Sequence, residues 1–97
     1  MKTIPDITSG EILKEEFLSP LELSAYRLAK MTSMPLTRIS AIIQGKRRIT
    51  ADTALRLAKV FGNSPGFWLG IQDEYDLRIE KRRIEDDLEQ IPSLTTV

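Results

Sequence analysis

The chain has 97 residues and a net charge of zero, since 14 basic side chains balance 14 acidic ones, and it contains neither cysteine nor histidine. Those two residues supply disulfides, most zinc ligands, thiol nucleophiles and the commonest general base, so we expect neither an enzyme nor a metal or cofactor site. The chain also lacks an apolar run of about 18 residues and the apolar centre of a signal peptide, so we expect one cytoplasmic domain without a membrane span.

The first two predicted helices follow an irregular stretch of about eight residues that contains Pro5. The first helix covers residues 11–18, because its acidic first turn suits the positive end of a helix dipole and Ser19-Pro20 then ends it. The second helix begins at Ser24, whose hydroxyl can cap the first free amides, and it ends at Thr32-Ser33.

The third and fourth predicted helices are marked by proline, threonine and glycine. Pro35 has a preset φ angle and no amide hydrogen, so it suits the first turn of a helix that runs to about residue 43. Gly45 stops that helix. Thr50 caps the fourth helix, and Gly62 ends it.

The fifth predicted helix repeats the start signal of a capping residue followed by proline, at Ser64-Pro65. Its apolar residues recur at spacings of about three and four, and a second, thinner stripe allows the helix to continue to Pro92. We expect the core at residues 9–79 and a partly disordered extension at residues 80–97. No stretch alternates as a strand does, so the sequence predicts an all-α fold of five helices.

The second and third helices have the pattern of a helix-turn-helix, which places its second helix in the DNA major groove. Ala29 is the small residue expected where the two helices cross. The inward positions are apolar: Leu28, Met34, Ile39 and Ile42. The turn normally uses a left-handed glycine, whereas this chain has Ser33 after the polar Thr32, so we expect the turn to form but to be less stable.

The charges are distributed unevenly. Residues 24–59 hold eight Lys or Arg and one acid, a net charge of +7, whereas residues 1–23 carry −3 and residues 60–97 carry −4. This distribution focuses positive potential on one part of the fold. Charge runs are also common on ordinary solvated faces, but this one coincides with the helix-turn-helix and therefore favours nucleic-acid binding.

The candidate DNA-binding residues lie in the second helix, in the third helix and in the loop after it: Ser24, Arg27, Leu36, Thr37, Arg38, Ser40, Ala41, Gln44, Lys46, Arg47 and Arg48. In the third helix, Arg38 can bind guanine or a phosphate, while Leu36 and Ala41 can contact a thymine methyl group. The basic loop, Lys46–Arg48, suits backbone phosphates, as do the hydroxyl and amides at the start of the second helix. Each of these residues can instead be an ordinary solvent-facing side chain, and Arg27 can pair with Glu22.

A group of apolar residues on the fifth helix allows two interpretations: Phe67, Trp68, Ile71 and Tyr75 form either core or a dimer interface. Such a stripe of apolar residues is more often part of the core than of an interface. A dimer would place two recognition helices in successive major grooves, about 34 Å apart.

Several segments within residues 9–77 together resemble a known family: GEIL, RIS, GKRRITADTALRLA and SPGFWL. They are similar to the HigA/VapI-type antitoxins of addiction modules, within the Xre/Cro group of repressor-like helix-turn-helix proteins. The chain departs from the family at Ser9, where proline is usual, and at Thr32-Ser33, where an apolar residue and glycine are usual. The resemblance implies a lambda-repressor-like domain.

The same resemblance implies an antitoxin, usually a homodimer, that binds an operator in its own promoter and pairs with a RelE-like ribonuclease toxin. No motif fixes the residues that contact the toxin. By the sign of their charge alone, the acidic ends of the chain complement a basic ribonuclease.

Two alternatives stay open from the sequence. A solitary Xre-type regulator would bind DNA without a toxin, and only the neighbouring gene distinguishes it from an antitoxin. A protein-interaction module would keep the helix-turn-helix as a scaffold after losing DNA binding. Such a scaffold has no need to keep Arg38 and the basic loop together, so these residues favour a DNA-binding protein.

Overall fold

The structure, a computed structural model, describes residues 7–95, and within them it confirms the all-α prediction. Residues 7–95 contain six helices: α1, which is α-helical over Ser9–Ile12 and π-helical over Leu13–Leu18, α2 (Ala25–Thr32), α3 (Leu36–Ile43), α4 (Ala51–Phe61), α5 (Pro65–Arg83) and α6 (Glu85–Glu89). The expected irregular stretch around Pro5, and positions 96–97 of the predicted C-terminal extension, lie outside the described residues.

Helix α1 begins two residues earlier than predicted, because Thr8 caps it. The Thr8 hydroxyl accepts a hydrogen bond from the Glu11 amide at 3.1 Å, and the Glu11 carboxylate accepts one from the Thr8 amide at 3.4 Å. This reciprocal pair is a capping box. The helix then widens into a π-helix, in which Leu13 and Leu18, five residues apart, are both buried.

The predicted start and stop signals are borne out at most helix ends. The hydroxyls of Ser24 and Ser64 each accept a hydrogen bond from the amide three residues on, at 3.0 and 3.1 Å. Gly62 ends α4 in the left-handed conformation, with φ 74°. Two details differ: Pro35 lies just before α3 rather than inside it, and the Thr50 side chain makes no capping hydrogen bond.

The core lies where all five longer helices meet. Its largest fully buried side chains come from α1 to α5 and from the loop before α4: Leu13, Leu28, Ile39, Ile42, Ile49, Leu57 and Trp68. Helix α1 packs against α3 so closely that a Cβ atom added at Gly10 would lie 1.7 Å from the Ile42 carbonyl oxygen. Only glycine fits this crossing, so Gly10 sets the distance between α1 and α3.

Trp68 belongs to this core. Its side chain is fully buried, and its ring centroid lies 4.7 Å from that of Phe17 and 5.7 Å from that of Phe61. Its indole N–H donates to the Asn63 side-chain oxygen at 2.8 Å. Within the single chain, Trp68 is therefore packed as a core residue. Phe67 is 39% exposed at the edge of the aromatic cluster.

Helix α5 contacts the rest of the fold along its N-terminal part, at least as far as Asp76. Ile71 and Tyr75 are half-buried, whereas Leu77 is 69% exposed. The backbone leaves the helical conformation at Ile84, with φ −112° and ψ 21°, so the continuation expected toward Pro92 is present as the separate short helix α6. This break is the reason that the described part of the chain has six helices where five are predicted.

Candidate nucleic-acid interface

The helices α2 and α3 form the predicted helix-turn-helix. Ser33 adopts the left-handed conformation that the turn requires, with φ 58° and ψ 38°, and the Met34 amide donates to the Ala29 carbonyl at 3.0 Å. Ala29 is buried at the crossing. The buried Thr32 is satisfied within its own helix, because its hydroxyl donates to the Leu28 carbonyl at 2.7 Å. Ser33 thus supplies the left-handed residue of the turn, and the polar Thr32 is buried with its hydroxyl hydrogen-bonded.

The outward side of α3 is small and mixed in character. Leu36 is 43% exposed, and Thr37 and Gln44 are exposed as well. Ser40 and Ala41 are half-buried. The first turn of α3 therefore presents a methyl group, a hydroxyl and an apolar side chain, the groups that read base edges in a major groove.

Arg38 lies differently from its neighbours on α3. The sequence places it among the outward-facing residues, but its side chain is only 24% exposed and turns toward α4, where its Nη1 donates to Asp52 Oδ2 at 2.8 Å. The reason is electrostatic, since Asp52 is the one acid between residues 24 and 59 and lies beside the start of α3. One nitrogen of this guanidinium is thus engaged on the protein, while its Nε is buried without a hydrogen-bond partner among the described residues.

Asp52 joins three elements through two arginines. Its Oδ2 also accepts a hydrogen bond from Arg56 Nε at 3.0 Å, and Arg56 Nη1 donates to the Thr32 carbonyl at 2.8 Å, at the C-terminal end of α2. The hydrogen bond from Arg38, with that from Arg56, lowers the pKa of Asp52 below its ordinary value. The arginine–aspartate network, Arg38–Asp52–Arg56, therefore ties the turn and both of its helices to α4.

The basic loop follows α3 directly, and its three side chains are exposed. Arg48 Nη2 donates to Asp76 Oδ2 at 2.5 Å, and its side chain remains 54% exposed. Within residues 7–95, no ion pair or hydrogen bond involves the side chains of Lys46 and Arg47. The loop therefore offers two unengaged cations and a third that is anchored to α5.

Gln72 connects α5 to this loop from inside the fold. It is 4% exposed, and its Oε1 accepts hydrogen bonds from the Ser9 hydroxyl at 2.6 Å and from the Ile49 amide at 2.8 Å. Its Nε2 donates to Asp76 Oδ1 at 3.0 Å. One buried amide therefore links the start of α1, the residue that follows the basic loop and the acid that holds Arg48.

The remaining predicted residues lie at the start of α2. Ser24 and Arg27 are both exposed there, and within the described part of the chain the Arg27 side chain forms no ion pair, with Glu22 or otherwise. The open amides of this helix end favour an anion, as does the positive end of its dipole. The structure thus leaves both residues available at the surface.

Sequence reasoning missed Asp52, Gln72 and Asp76 as parts of this interface. A signal existed for each of them: Asp52 is the lone acid of a basic segment, and Gln72 and Asp76 follow Trp68 at steps of four, on the buried side of α5. Among residues 7–95 no group of acidic side chains could hold a metal ion, and none of the helices there is long and apolar enough to cross a membrane.

The fold and the exposed start of α3 define a helix-turn-helix protein of the DNA-binding class. Residues 13–68 match the helix-turn-helix family model. Virulence-associated protein I of Dichelobacter nodosus is 47% identical over 79 residues, covering 81% of this chain and 73% of the relative. The chain belongs to the Xre-type helix-turn-helix family, among its HigA/VapI-type antitoxins and regulators, as the resemblance implied.

Two solved structures extend this similarity to the fold. An addiction module antidote protein of the HigA family from Coxiella burnetii has a TM-score of 0.84 and 45% identity, over 91% of this chain and 96% of its own. The Pseudomonas aeruginosa antitoxin HigA, solved with the higBA promoter, has a TM-score of 0.85 and 31% identity, over 94% of this chain and 99% of its own.

Proposed function

We propose that this protein is an antitoxin that binds an operator in its own promoter, represses that operon and neutralises a RelE-like ribonuclease toxin. The observation that carries the DNA-binding part is the exposed first turn of α3, which is held in helix-turn-helix geometry and runs on into the basic loop. A relative of similar fold has been solved with promoter DNA, which supports this choice of ligand.

Within this proposal the residues divide by role. Leu36 and Thr37 read base edges, because they are exposed on the first turn of α3, and Gln44 contacts the DNA at the far end of the helix. Lys46 and Arg47 bind phosphates. Arg38 orients α3 against α4 through Asp52, so its contribution to sequence choice is indirect.

Two substitutions separate base reading from phosphate binding. We expect Thr37→Val to lower affinity for the preferred operator by about tenfold while leaving binding to arbitrary DNA unchanged, because only a base-edge hydrogen bond is lost. We expect Lys46→Ala to weaken binding to both DNAs and to reduce the salt slope by about one. Titration of duplexes selected from a randomised pool, against a scrambled duplex at several salt concentrations, measures both effects.

A matched control for Lys46 is Lys59→Ala, which removes the same charge from the last turn of α4. It should leave the salt slope unchanged. Equal losses from Thr37→Val on selected and scrambled DNA would contradict base reading by α3. Failure of the unaltered protein to enrich any duplex would instead favour the scaffold alternative.

We further propose a homodimer, formed through the far part of α5 and through α6. Large apolar side chains lie exposed there and just beyond α6: Leu77 at 69%, Ile79 at 36%, Leu88 at 41% and Ile91 at 65%. They are separate from the buried Trp68, so self-association would leave the core intact. Two copies would present two α3 helices to a palindrome, with half-sites about 34 Å apart.

The toxin is proposed to bind through the acidic ends of the chain, which carry net charges of −3 and −4. Opposite charge speeds encounter with a basic ribonuclease and selects against acidic partners. We expect the product of the adjacent gene to co-purify with this protein as one complex on a sizing column. Separate elution of the two proteins, with operator binding retained, would identify a solitary regulator instead.

A further inference from the structure

The contact between Arg48 and α5 leaves part of the guanidinium free. Only Nη2 is engaged by Asp76, and within residues 7–95 no hydrogen bond uses Nε or Nη1. Because an arginine presents its donors in a fixed fork, the free edge can bind a phosphate while Nη2 stays on the carboxylate. With its side chain 54% exposed, Arg48 is accessible to such a ligand.

The carboxylate that holds Arg48 is itself fixed. Gln72 Nε2 donates to Asp76 Oδ1 at 3.0 Å, and Arg48 Nη2 donates to Asp76 Oδ2. Gln72 cannot move easily, since its Oε1 also accepts from Ser9 and from the Ile49 amide in the buried interior. The relay Gln72–Asp76–Arg48 therefore restrains the exposed Arg48 side chain through hydrogen bonds that begin in the core.

From this geometry we infer that Gln72 and Asp76 are positioning residues for DNA binding, and that they hold Arg48 with its free edge toward a backbone phosphate. The inference rests on the proposed DNA-binding function and extends it to α5. The side-chain entropy of Arg48 is lost on folding rather than on binding, so the phosphate contact is stronger than that of an unrestrained arginine.

An acid at this place also has an opposing effect, because a carboxylate near DNA repels phosphates and masks the cation beside it. The chain contains a control for this effect. Asp73 lies on the same helix, three residues before Asp76, with its Oδ1 4.0 Å from Arg48 Nη2, beyond hydrogen-bond distance. Asp73→Asn and Asp76→Asn remove the same charge from nearly the same place, but only the second alters the relay.

The experiment measures binding of the unaltered protein, Asp73→Asn and Asp76→Asn to a duplex of arbitrary sequence about 30 bp long, some three helical turns. The same three are also made in an Arg48→Ala background. We expect Asp76→Asn to bind about fivefold more weakly than Asp73→Asn when Arg48 is present, and as strongly as Asp73→Asn when it is absent. Arg48→Ala itself should reduce the salt slope by about 0.9.

Each outcome decides the inference. Equal affinities of the two asparagine variants in the presence of Arg48, or tighter binding by Asp76→Asn, would overturn it and would leave the proposed DNA-binding function standing. A difference that persists in the Arg48→Ala background would overturn it too, because Asp76 would then not act through Arg48. Absence of DNA binding by the unaltered protein would overturn the proposed function, and this inference with it. Urea unfolding of every variant confirms that the folded fractions are equal.

Discussion

Replacement of Trp68 by alanine is expected to lower the free energy of unfolding by about 3–5 kcal/mol, the range for a large aromatic side chain in a core. The indole is fully buried and packs against Phe17, Phe61 and Phe67, with centroid distances between 4.7 and 5.7 Å. The change leaves a cavity where α1, α4 and α5 meet. Because small domains are stable by only about 5–15 kcal/mol, a large part of the total would be lost.

Urea unfolding followed by circular dichroism measures this loss. Leu55→Ala serves as the control, since that side chain lies on α4, outside the proposed dimer surface, and is 60% exposed, so its effect should stay within about 0.5 kcal/mol. The assignment of Trp68 to the core would be contradicted by an unchanged unfolding midpoint together with loss of self-association. That result would make Trp68 an interface residue instead.

A second large effect is expected from Gly10→Ala. The added Cβ would lie 1.7 Å from the Ile42 carbonyl oxygen, so α1 and α3 would have to separate. We expect a loss of about 3 kcal/mol or more, at the upper end of the range for overpacking. Because α3 carries the proposed base-reading residues, any remaining folded protein should also bind its operator more weakly than the original.

Gly70→Ala is the matched control for Gly10→Ala. Gly70 lies inside α5, and among the described residues, apart from its chain neighbours and the adjacent backbone of its own helix, no atom lies within 4 Å of an added Cβ. Alanine is favoured over glycine within a helix by about 0.5–1 kcal/mol, so this variant should be slightly more stable than the original. Equal free energies of unfolding for Gly10→Ala and Gly70→Ala would contradict the close approach of α1 to α3.

The parts of the fold that the sequence predicts well are those with local causes. Ser24, Ser64 and Gly62 act within a few residues of themselves, and the left-handed turn at Ser33 is required by the motif around it. Buried positions of α2 and α3 follow from helical periodicity. These features need no knowledge of the rest of the molecule.

The parts that were missed depend on pairs that are far apart in the sequence. Arg38 and Asp52 are separated by 14 residues, Arg48 and Asp76 by 28, and Ser9 and Gln72 by 63. No periodicity in the sequence indicates such pairs, so the sequence alone predicts free surface cations at Arg38 and Arg48. The π-helix of α1 was missed for a different reason, because its spacing of five falls outside the period of an ordinary helix.

The arginine–aspartate network makes the attachment of the helix-turn-helix to α4 sensitive to acid. Protonation of the single carboxylate of Asp52 would release both the anchor of α3 and the arginine that holds the end of α2. Since the pKa of Asp52 is lower in the folded protein, its contribution is complete above the ordinary aspartate pKa of about 3.9 and disappears as the pH falls through the lowered value. No histidine is present to add a transition near neutrality, so this attachment of the helix-turn-helix to α4 does not change with pH across the physiological range.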